Sequence, residues 1–581
     1  MVVRQLCWNR FTRRTLFYGV VVLLILASFR SKISPFFVPS DKSNSRLKAE
    51  DSSPLTRQTR AEAVKAAFLH AYHGYEDLNG WGLTAFDSLD TMLLMGLKEE
   101  FARAQEIVTN ADFSKSEPEP IPYFETVIRY LGGLLSAYAL SKDKLFIERA
   151  EDLVEVLEPA FSTKSGFPLY SVDVVKKQGI GSDVGTLSEM ATLQLEYAYL
   201  AKVTVNVKYY NRAAKVMDLL AQAKLEQTGG MLPTRWDLTT GQPVDRSLAD
   251  SAHEYLLKFH LLTGKTDKES LKMYLRTTTR IISDMLYLSP TRHLLYVSDS
   301  FGSTFTESAP PTLQFEHLSC FLPGLLALGA HSLPLDNLNS LGIDLEELGN
   351  EKLYGYAGRG YKRLTGYNLK QLHMWAAEGL AQTCWLMYAD QPTGLGPEEV
   401  KIKFASTDGP WRDGPETHLW VDAVDKWKRS GSRGVVPGLA EKTPVVYTPE
   451  ERNNGTGSGH DYTLLKPGHL LRPETVESLY LLWRITGDFK WRDRGWNIFE
   501  AIERETKTDS GYATLYSVET GGKEERMPSY FLAETLKYLY LMFMEDDPIT
   551  PDQWSFNTEA HPLPVFEWTQ EEIKLLNVTL G

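Results

Sequence analysis

Cysteine is scarce in this chain of 581 residues: Cys7, Cys320 and Cys384 are the only three. Cys320 lies close to His317, but no second His or Cys follows at ligand spacing, which argues against a zinc centre. The 42 glycines are scattered, so neither a phosphate-cradling loop nor a dinucleotide fingerprint is present. No Gly-x-Ser-x-Gly elbow occurs either, which disfavours an esterase. Positive charge is in deficit over most of the chain. Residues 1–32 hold Arg4, Arg10, Arg13, Arg14, Arg30 and Lys32 and no acid; the remainder holds 56 Lys and Arg against 75 Asp and Glu, a net charge of -19. A body this acidic offers no basic face to nucleic acid and suits a neutral ligand or a metal ion.

One apolar run of membrane character is present, Thr15–Phe29, flanked by Arg13, Arg14 and Arg30. It is shorter than the ~20 residues usual for a span, and snorkelling arginines extend its reach. Greater positive charge on its N-terminal side leaves that end in the cytosol. Its shortness favours the thinner membranes of the early secretory pathway, ER or Golgi. The expected organisation is a cytosolic tail over 1–14, a signal anchor over 15–29, a stem over 30–57 and one folded lumenal body over 58–581. A cleaved signal peptide is the competing reading, although no small-x-small cleavage site follows the run. Sequons at Asn454 and Asn577 agree with lumenal exposure. In that compartment Cys320 and Cys384 form either one disulfide or two buried thiols.

From Arg60 onward helical periodicity dominates. FETVIRYLGGLLSAYAL, then SKDK, then LFIERAEDLVEVLEPAF reads as helix–turn–helix, and SAHEYLLKFHLL and ETVESLYLLWRI open similar units. Helix starts near residues 60, 84, 99, 122, 144, 186, 206, 249, 267, 312, 366, 471, 490 and 528 make fourteen. Alternate members open with an acidic or polar residue: Glu125 to Glu189 is 64 residues, Glu189 to Asp250 is 61, Asp250 to His317 is 67 and Glu474 to Glu534 is 60. A repeat with ionisable groups at equivalent ends collects them in one place. The pattern predicts an all-α fold, an (α/α)7 barrel of seven inner and seven outer helices with small β elements in its loops, around a carboxylate-rich pocket. Residues 391–466, polar and rich in Gly and Pro, read as one long loop insertion, and WSFNTEAHPLPVF reads as an extended segment.

Glu125 and Arg129 lie four apart on one helix face, beside Gly132-Gly133, Leu131, Leu134 and Leu135, which mark close packing on both sides. Glu474 follows Arg472-Pro473 and sits in the first turn of a Pro-started helix, where the helix dipole lowers a carboxyl pKa and suits it to act as a base. Asp250 with Glu254, Asp87 with Asp90, Glu189 with Glu196, and Glu534 repeat that signal. Each alone equals routine dipole compensation; only the recurrence points to a site.

GWGLTAFDSLDTMLLMGL, FETVIRYLGGLLSAY, ATLQLEY, DSAHEYLLK, EHLSCFLPG, LRPETVESLYLLWRITGD, FLAETLKYLYLMF and FNTEAHPLP together resemble glycoside hydrolase family 47, the class I α-1,2-mannosidases, over residues 60–566. The resemblance implies an (α/α)7 barrel that uses Ca2+ and removes α-1,2-linked mannose from high-mannose N-glycans of glycoproteins with inversion. It implies Glu125 as the general acid with Arg129 as its partner, Asp250 as a rival acid in the same cluster, and Glu474 as the general base. His317, Glu189, Glu477, Glu534 and Glu559 match pocket residues, Thr558 matches the residue that binds Ca2+ through its backbone oxygen and hydroxyl, and Cys320 and Cys384 match a disulfide. Tyr530 stands where the family usually has a phenylalanine that stacks on the mannose ring. A monomer is expected.

Inverting hydrolysis needs one protonated carboxyl and one carboxylate about 6.5–9.5 Å apart, with room for water. Crowding acids into a partly closed pocket raises some pKa values and lets one stay protonated near neutrality. The competing function is a lectin-like or weakly active relative in glycoprotein quality control. Loss of Glu125, Asp250, Glu474 or Thr558 would favour it, and all four are present.

Overall fold

The computed structural model describes residues 54–73, 81–115, 120–244, 252–299, 311–403, 418–447, 459–544 and 546–578. The segment 15–29 lies outside them, as do Cys7, Asp250 and Asn454; among the described residues no helix is long and apolar enough to cross a membrane. Residues Pro54–Gly581 form one compact unit.

That unit is an (α/α)7 barrel. Its outer helices are Pro54–His73, Lys98–Asn110, Lys144–Leu157, Val207–Ala221, Lys268–Asp284, Leu369–Ala389 and Phe489–Glu505. The inner helices alternate with them in the chain: Leu83–Asp87 with Leu89–Met95, Gly132–Ser141, Gln194–Thr204, Ala252–Leu262, Leu322–Ser332, Glu474–Thr486 and Leu536–Phe543. Burial separates the two rings. Lys144–Leu157 buries only Phe146, Ala150, Leu153, Val154 and Leu157, a single stripe at helical spacing. Every residue of Ala252–Leu262 and of Leu536–Phe543 is buried, as expected for helices packed on all sides.

The two rings also start differently. Asp143, Asn206, Asp267, Asn368 and Asp488 each cap an outer helix, accepting from a backbone N–H in its first turn. The starts at Pro122, Leu193, Glu316, Pro473 and Tyr530, which lead into inner helices, have no side-chain cap. Four of the five carry an acid in the first turn instead: Glu125, Glu196, Glu474 with Glu477, and Glu534.

Among the described residues seven small sheets of two or three strands lie in the connections. The described residues of 391–466 hold more regular structure than the composition suggests. They contain the strand Glu399–Ile402, the helix Trp420–Arg429 and the strand Tyr462–Lys466. Glu399–Ile402 pairs antiparallel with both Gln314–Glu316 and Tyr462–Lys466, partners distant in sequence, so a four-residue window carries no local signal of it. The helix buries Trp420, Val421 and Val424, a spacing that its polar surroundings obscure. Three short helices, Leu345–Leu348, Glu351–Tyr354 and Tyr356–Leu364, add to the fourteen; the last packs on Lys268–Asp284. Cys320 and Cys384 form a disulfide that ties the entry of an inner helix to an outer one.

The extended segment near the C-terminus is a β-hairpin, Trp554–Phe556 paired with Pro562–Pro564. It packs against the inner helices Ala252–Leu262 and Gly132–Ser141. Gly132 and Gly133 make that approach possible. A Cβ at Gly132 would press on the Asn557 and His561 side chains, and one at Gly133 would overlap the Phe86 carbonyl. Gly133→Ala should therefore destabilise the fold by ~1–3 kcal/mol, as overpacking against backbone does. Gly366→Ala, whose Cβ would meet nothing nearer than the Arg363 carbonyl at 3.8 Å, should be close to neutral. Chemical denaturation of both variants checks the contrast.

Candidate active site

Four inner-helix starts and the turn Leu187–Met190 converge on a cavity of about 410 Å³. Its lining includes Ser188, Glu254, Ser319, Glu474, Glu477 and Glu534, with Thr558 from the hairpin tip. Glu474, Glu477, Glu534 and Thr558 are thus brought together, from three separate stretches of chain.

Glu474 opens its helix, and its Oε2 lies 2.9 Å from His317 Nδ1. Arg472 Nη1 stands 3.9 Å from the other oxygen. Burial pushes the Glu474 carboxyl up, but the His317 hydrogen bond and charge, with Arg472, outweigh it and hold the pKa below the usual value. The dipole argument anticipated the direction; the largest lowering influence is a histidine 157 residues away in sequence.

The neighbouring acids go the other way. Burial raises Glu477 despite Lys258, with Glu254 and Glu474 adding to the rise. Glu534 is raised well above the carboxylate range by burial, then by Glu559 and Glu474. Lys258 bonds Glu254 on its own helix and stands 3.6 Å from Glu477. The cavity therefore holds one readily ionised carboxyl beside several that resist ionisation.

Glu125 and Arg129 pair as their spacing predicts, with Arg129 Nε donating to Glu125 Oε2 at 2.7 Å. Glu125 keeps 48% of its side chain exposed, while Arg129 keeps 15%. Arg129 also bonds Glu559 and lies 3.5 Å from Asp87. Both Arg129 and Arg472 stand against the Tyr530 ring, 5.7 and 5.8 Å from its centroid. The extra hydroxyl of Tyr530 does not point at a ligand: it donates to the Leu470 carbonyl at 2.9 Å. Glu189 is separated from this group. It lines a neighbouring depression with Tyr170, Gly181 and Leu238, while Thr186 and Ser188 face the main cavity. Asn577 is exposed at the end of the helix Gln570–Leu576.

A buried network joins the hairpin to the first and last inner helices, and only its acids are visible in the sequence. Asp90 Oδ2 accepts from Lys537 Nζ at 2.8 Å, His561 Nδ1 at 3.0 Å and Ser136 Oγ at 3.0 Å. His561 Nε2 reaches Asp87 at 3.2 Å, and Lys537 also donates to the Ala560 carbonyl at 2.7 Å. Asp87, Asp90, Lys537 and His561 are wholly buried. Burial pushes Asp90 up, but Lys537 and His561 bring it down to about 2. Asp87 and Asp90 were visible as paired acids; their cations come from two remote stretches, and neither gives a local signal. Lys258, four after Glu254, could have been found by the spacing that marks Arg129.

Thr558 sits at the hairpin tip. Asn557 shapes that tip, its Oδ1 accepting from Glu559 N at 2.9 Å and His561 N at 2.8 Å. Hard oxygen donors facing a cavity with surplus carboxyl groups suit a hard cation such as Ca2+. Among the described residues no cluster of three or more His, Cys, Asp or Glu is arranged to hold a metal.

The sequence model of glycosyl hydrolase family 47 matches residues 51–565. Mannosyl-oligosaccharide 1,2-alpha-mannosidase MNS1 of Arabidopsis thaliana is 31% identical over 89% of this chain and 81% of its own length. The endoplasmic reticulum mannosyl-oligosaccharide 1,2-alpha-mannosidase of Rattus norvegicus is 32% identical over 92% of this chain and 71% of its own. The solved alpha-1,2-mannosidase from Trichoderma reesei superposes with a TM-score of 0.69 at 26% identity, covering 88% of this chain and 99% of that one.

Removing one member of a buried charge group leaves its partner uncompensated, at a cost of ~3–5 kcal/mol. Lys537→Met should therefore destabilise the protein by about that much, far beyond Lys272→Met, whose ammonium meets Glu269 at the surface. Equilibrium unfolding of the two variants makes the comparison.

Proposed function

Since the chain belongs to glycosyl hydrolase family 47, we propose that it hydrolyses terminal α-1,2-linked mannose from the high-mannose N-glycans of glycoproteins, with inversion. Glu474 is the general base, Glu125 the general acid, and Asp250, outside the described residues, the rival for the acid role. The observation that carries the reading is the Glu474–His317 pair in the cavity, a carboxyl held ionised among carboxyls pushed the other way. Water attacks the anomeric carbon and gives a proton to Glu474; the carbon–oxygen bond to the leaving sugar breaks as that oxygen takes a proton from the acid. Arg129 orients Glu125, and the Tyr530 ring, steadied between two arginines, offers an aromatic face to the sugar. Thr558 would hold Ca2+ through its carbonyl and hydroxyl, with waters supported by Glu254, Glu477 and Glu534. Bound there, the ion would orient sugar hydroxyls and polarise water.

The lumenal assignment rests on the family's secretory relatives. Anchoring through residues 15–29, modification at Asn454 and Asn577, and a monomeric state belong to the same proposal. Its quality-control alternative differs in predicting binding without turnover.

Glu474→Gln keeps size and some hydrogen bonding but cannot take a proton. Turnover of α-1,2-mannobiose should fall by ~10²–10⁴ while Ca2+ binding persists. Near-normal hydrolysis would remove Glu474 from the base role. Thr558→Val keeps the carbonyl and the shape but deletes the hydroxyl. Calcium affinity, measured by calorimetry, should weaken by about tenfold or more, and activity with it; unchanged affinity would refute the metal assignment.

A further inference from the structure

Glu474 is held by a hydrogen-bond chain that runs away from the cavity. His317 Nδ1 is 2.9 Å from Glu474 Oε2, and its Nε2 is 2.7 Å from the Tyr388 hydroxyl. The Thr475 hydroxyl lies 3.3 Å from the same Nε2. His317 and Tyr388 are both buried. Tyr388 belongs to the outer helix Leu369–Ala389, four residues past Cys384, and Cys384 is bonded to Cys320, three residues past His317. The disulfide therefore holds the tyrosine's helix against the turn that carries the histidine.

An ionised Glu474 can only accept hydrogen bonds, so Nδ1 must be the protonated nitrogen facing it. In the neutral form of the ring Nε2 then presents a lone pair. Burial, followed by the charges of Glu474 and Glu398, pushes the Tyr388 hydroxyl well above its ordinary pKa, so its hydrogen stays in place to be donated.

We propose that Tyr388 is a positioning residue for the general base: its hydroxyl donates to His317 Nε2, fixes the Nδ1–H tautomer, and so keeps the Glu474 carboxylate ionised and oriented. Without that donor the ring can carry its hydrogen on Nε2, leaving a lone pair at Nδ1 against the carboxylate and favouring its protonated form. Arg472 also faces Glu474 and favours the carboxylate, while Glu477, Glu534, Glu398 and Tyr530 surround it without favouring its charge. Arg472, Glu477, Glu534, Glu398 and Tyr530 remain unaltered when Tyr388 alone is changed. The inference rests on Glu474 being the base.

Tyr388→Phe keeps the ring against His317 and His469, with centroids 5.6 and 5.8 Å away, and removes only the hydroxyl. A group with a depressed pKa loses its function as pH falls through that pKa, so raising the pKa moves the acid limb of the profile upward. In the full-length protein in detergent, the acid limb of kcat/KM for α-1,2-mannobiose should move up by roughly one pH unit. The basic limb and the KM above the acid limb should stay in place. Should Tyr388→Phe lose its cooperative melt, a fluorinated tyrosine installed at 388 keeps the shape and strengthens the donor, and the acid limb should move down. An acid limb unmoved in the folded variant overturns the role of Tyr388. If Glu474→Gln is inactive in the same assay, only the tyrosine inference fails; if Glu474→Gln is active, the base assignment has failed first.

Discussion

The contact of Asp90 with Lys537 and His561, wholly withdrawn from water, ties the hairpin that carries Thr558 to the first and last inner helices. Three elements meet there: the first inner helix supplies the acid, the last supplies the lysine, and the hairpin supplies the imidazole and the Ala560 carbonyl. Buried ions are costly, and their attraction compensates only where geometry is good and remaining lone pairs are filled. Ser136 and the Thr91 backbone N–H fill those on Asp90. A hairpin held by hydrophobic packing alone could slide; one held by directional charge contacts has one position. That position decides where Thr558 and Glu559 stand.

Around the cavity the electrostatics divide the carboxyl groups. Arg129 and Lys258 are each shared among several of them: Arg129 among Glu125, Glu559 and Asp87, and Lys258 between Glu254 and Glu477. Shared cations cannot neutralise all of their partners, so burial prevails at Glu477, Glu534 and Glu559. Glu474 escapes because His317 and Arg472 serve it directly. A carboxyl kept ionised among others that are not is what a general base requires.

Much of the barrel was legible in the chain because its two rings obey local rules. Five outer helices carry Asp or Asn caps, and the inner helices Ala252–Leu262 and Leu536–Phe543 are buried on every side. Glycine turns separate them. The recurrence of acids at inner starts then placed Glu474, Glu477 and Glu534 in one cavity. What escaped was non-local. The strand Glu399–Ile402 exists because two distant strands flank it, and Lys537 and His561 become functional only through Asp90. Glu189 stands apart from the others. Its spacing equals that of its neighbours, yet the turn Leu187–Met190 sends Ser188 toward the cavity and Glu189 toward another depression.

The inner-helix entries depart from ideal periodicity where side chains must be aimed. Thr126–Leu131 and Phe531–Thr535 are π-helical, and they carry Arg129 and Glu534. A π-turn inserts one residue into the helix and rotates the later residues about its axis, a local irregularity that recurs at functional sites. Both turns pack on Leu83–Asp87, the short helix that supplies Asp87. A regular helix would keep the 3.6-residue spacing by which the sequence is read. Here each irregular turn leads into a fully or largely buried helix, Gly132–Ser141 and Leu536–Phe543, whose packing is available to stabilise that entry. The same inner ring thus serves two ends: its apolar bodies make the core, and its irregular, uncapped starts hold the ionisable groups of the cavity.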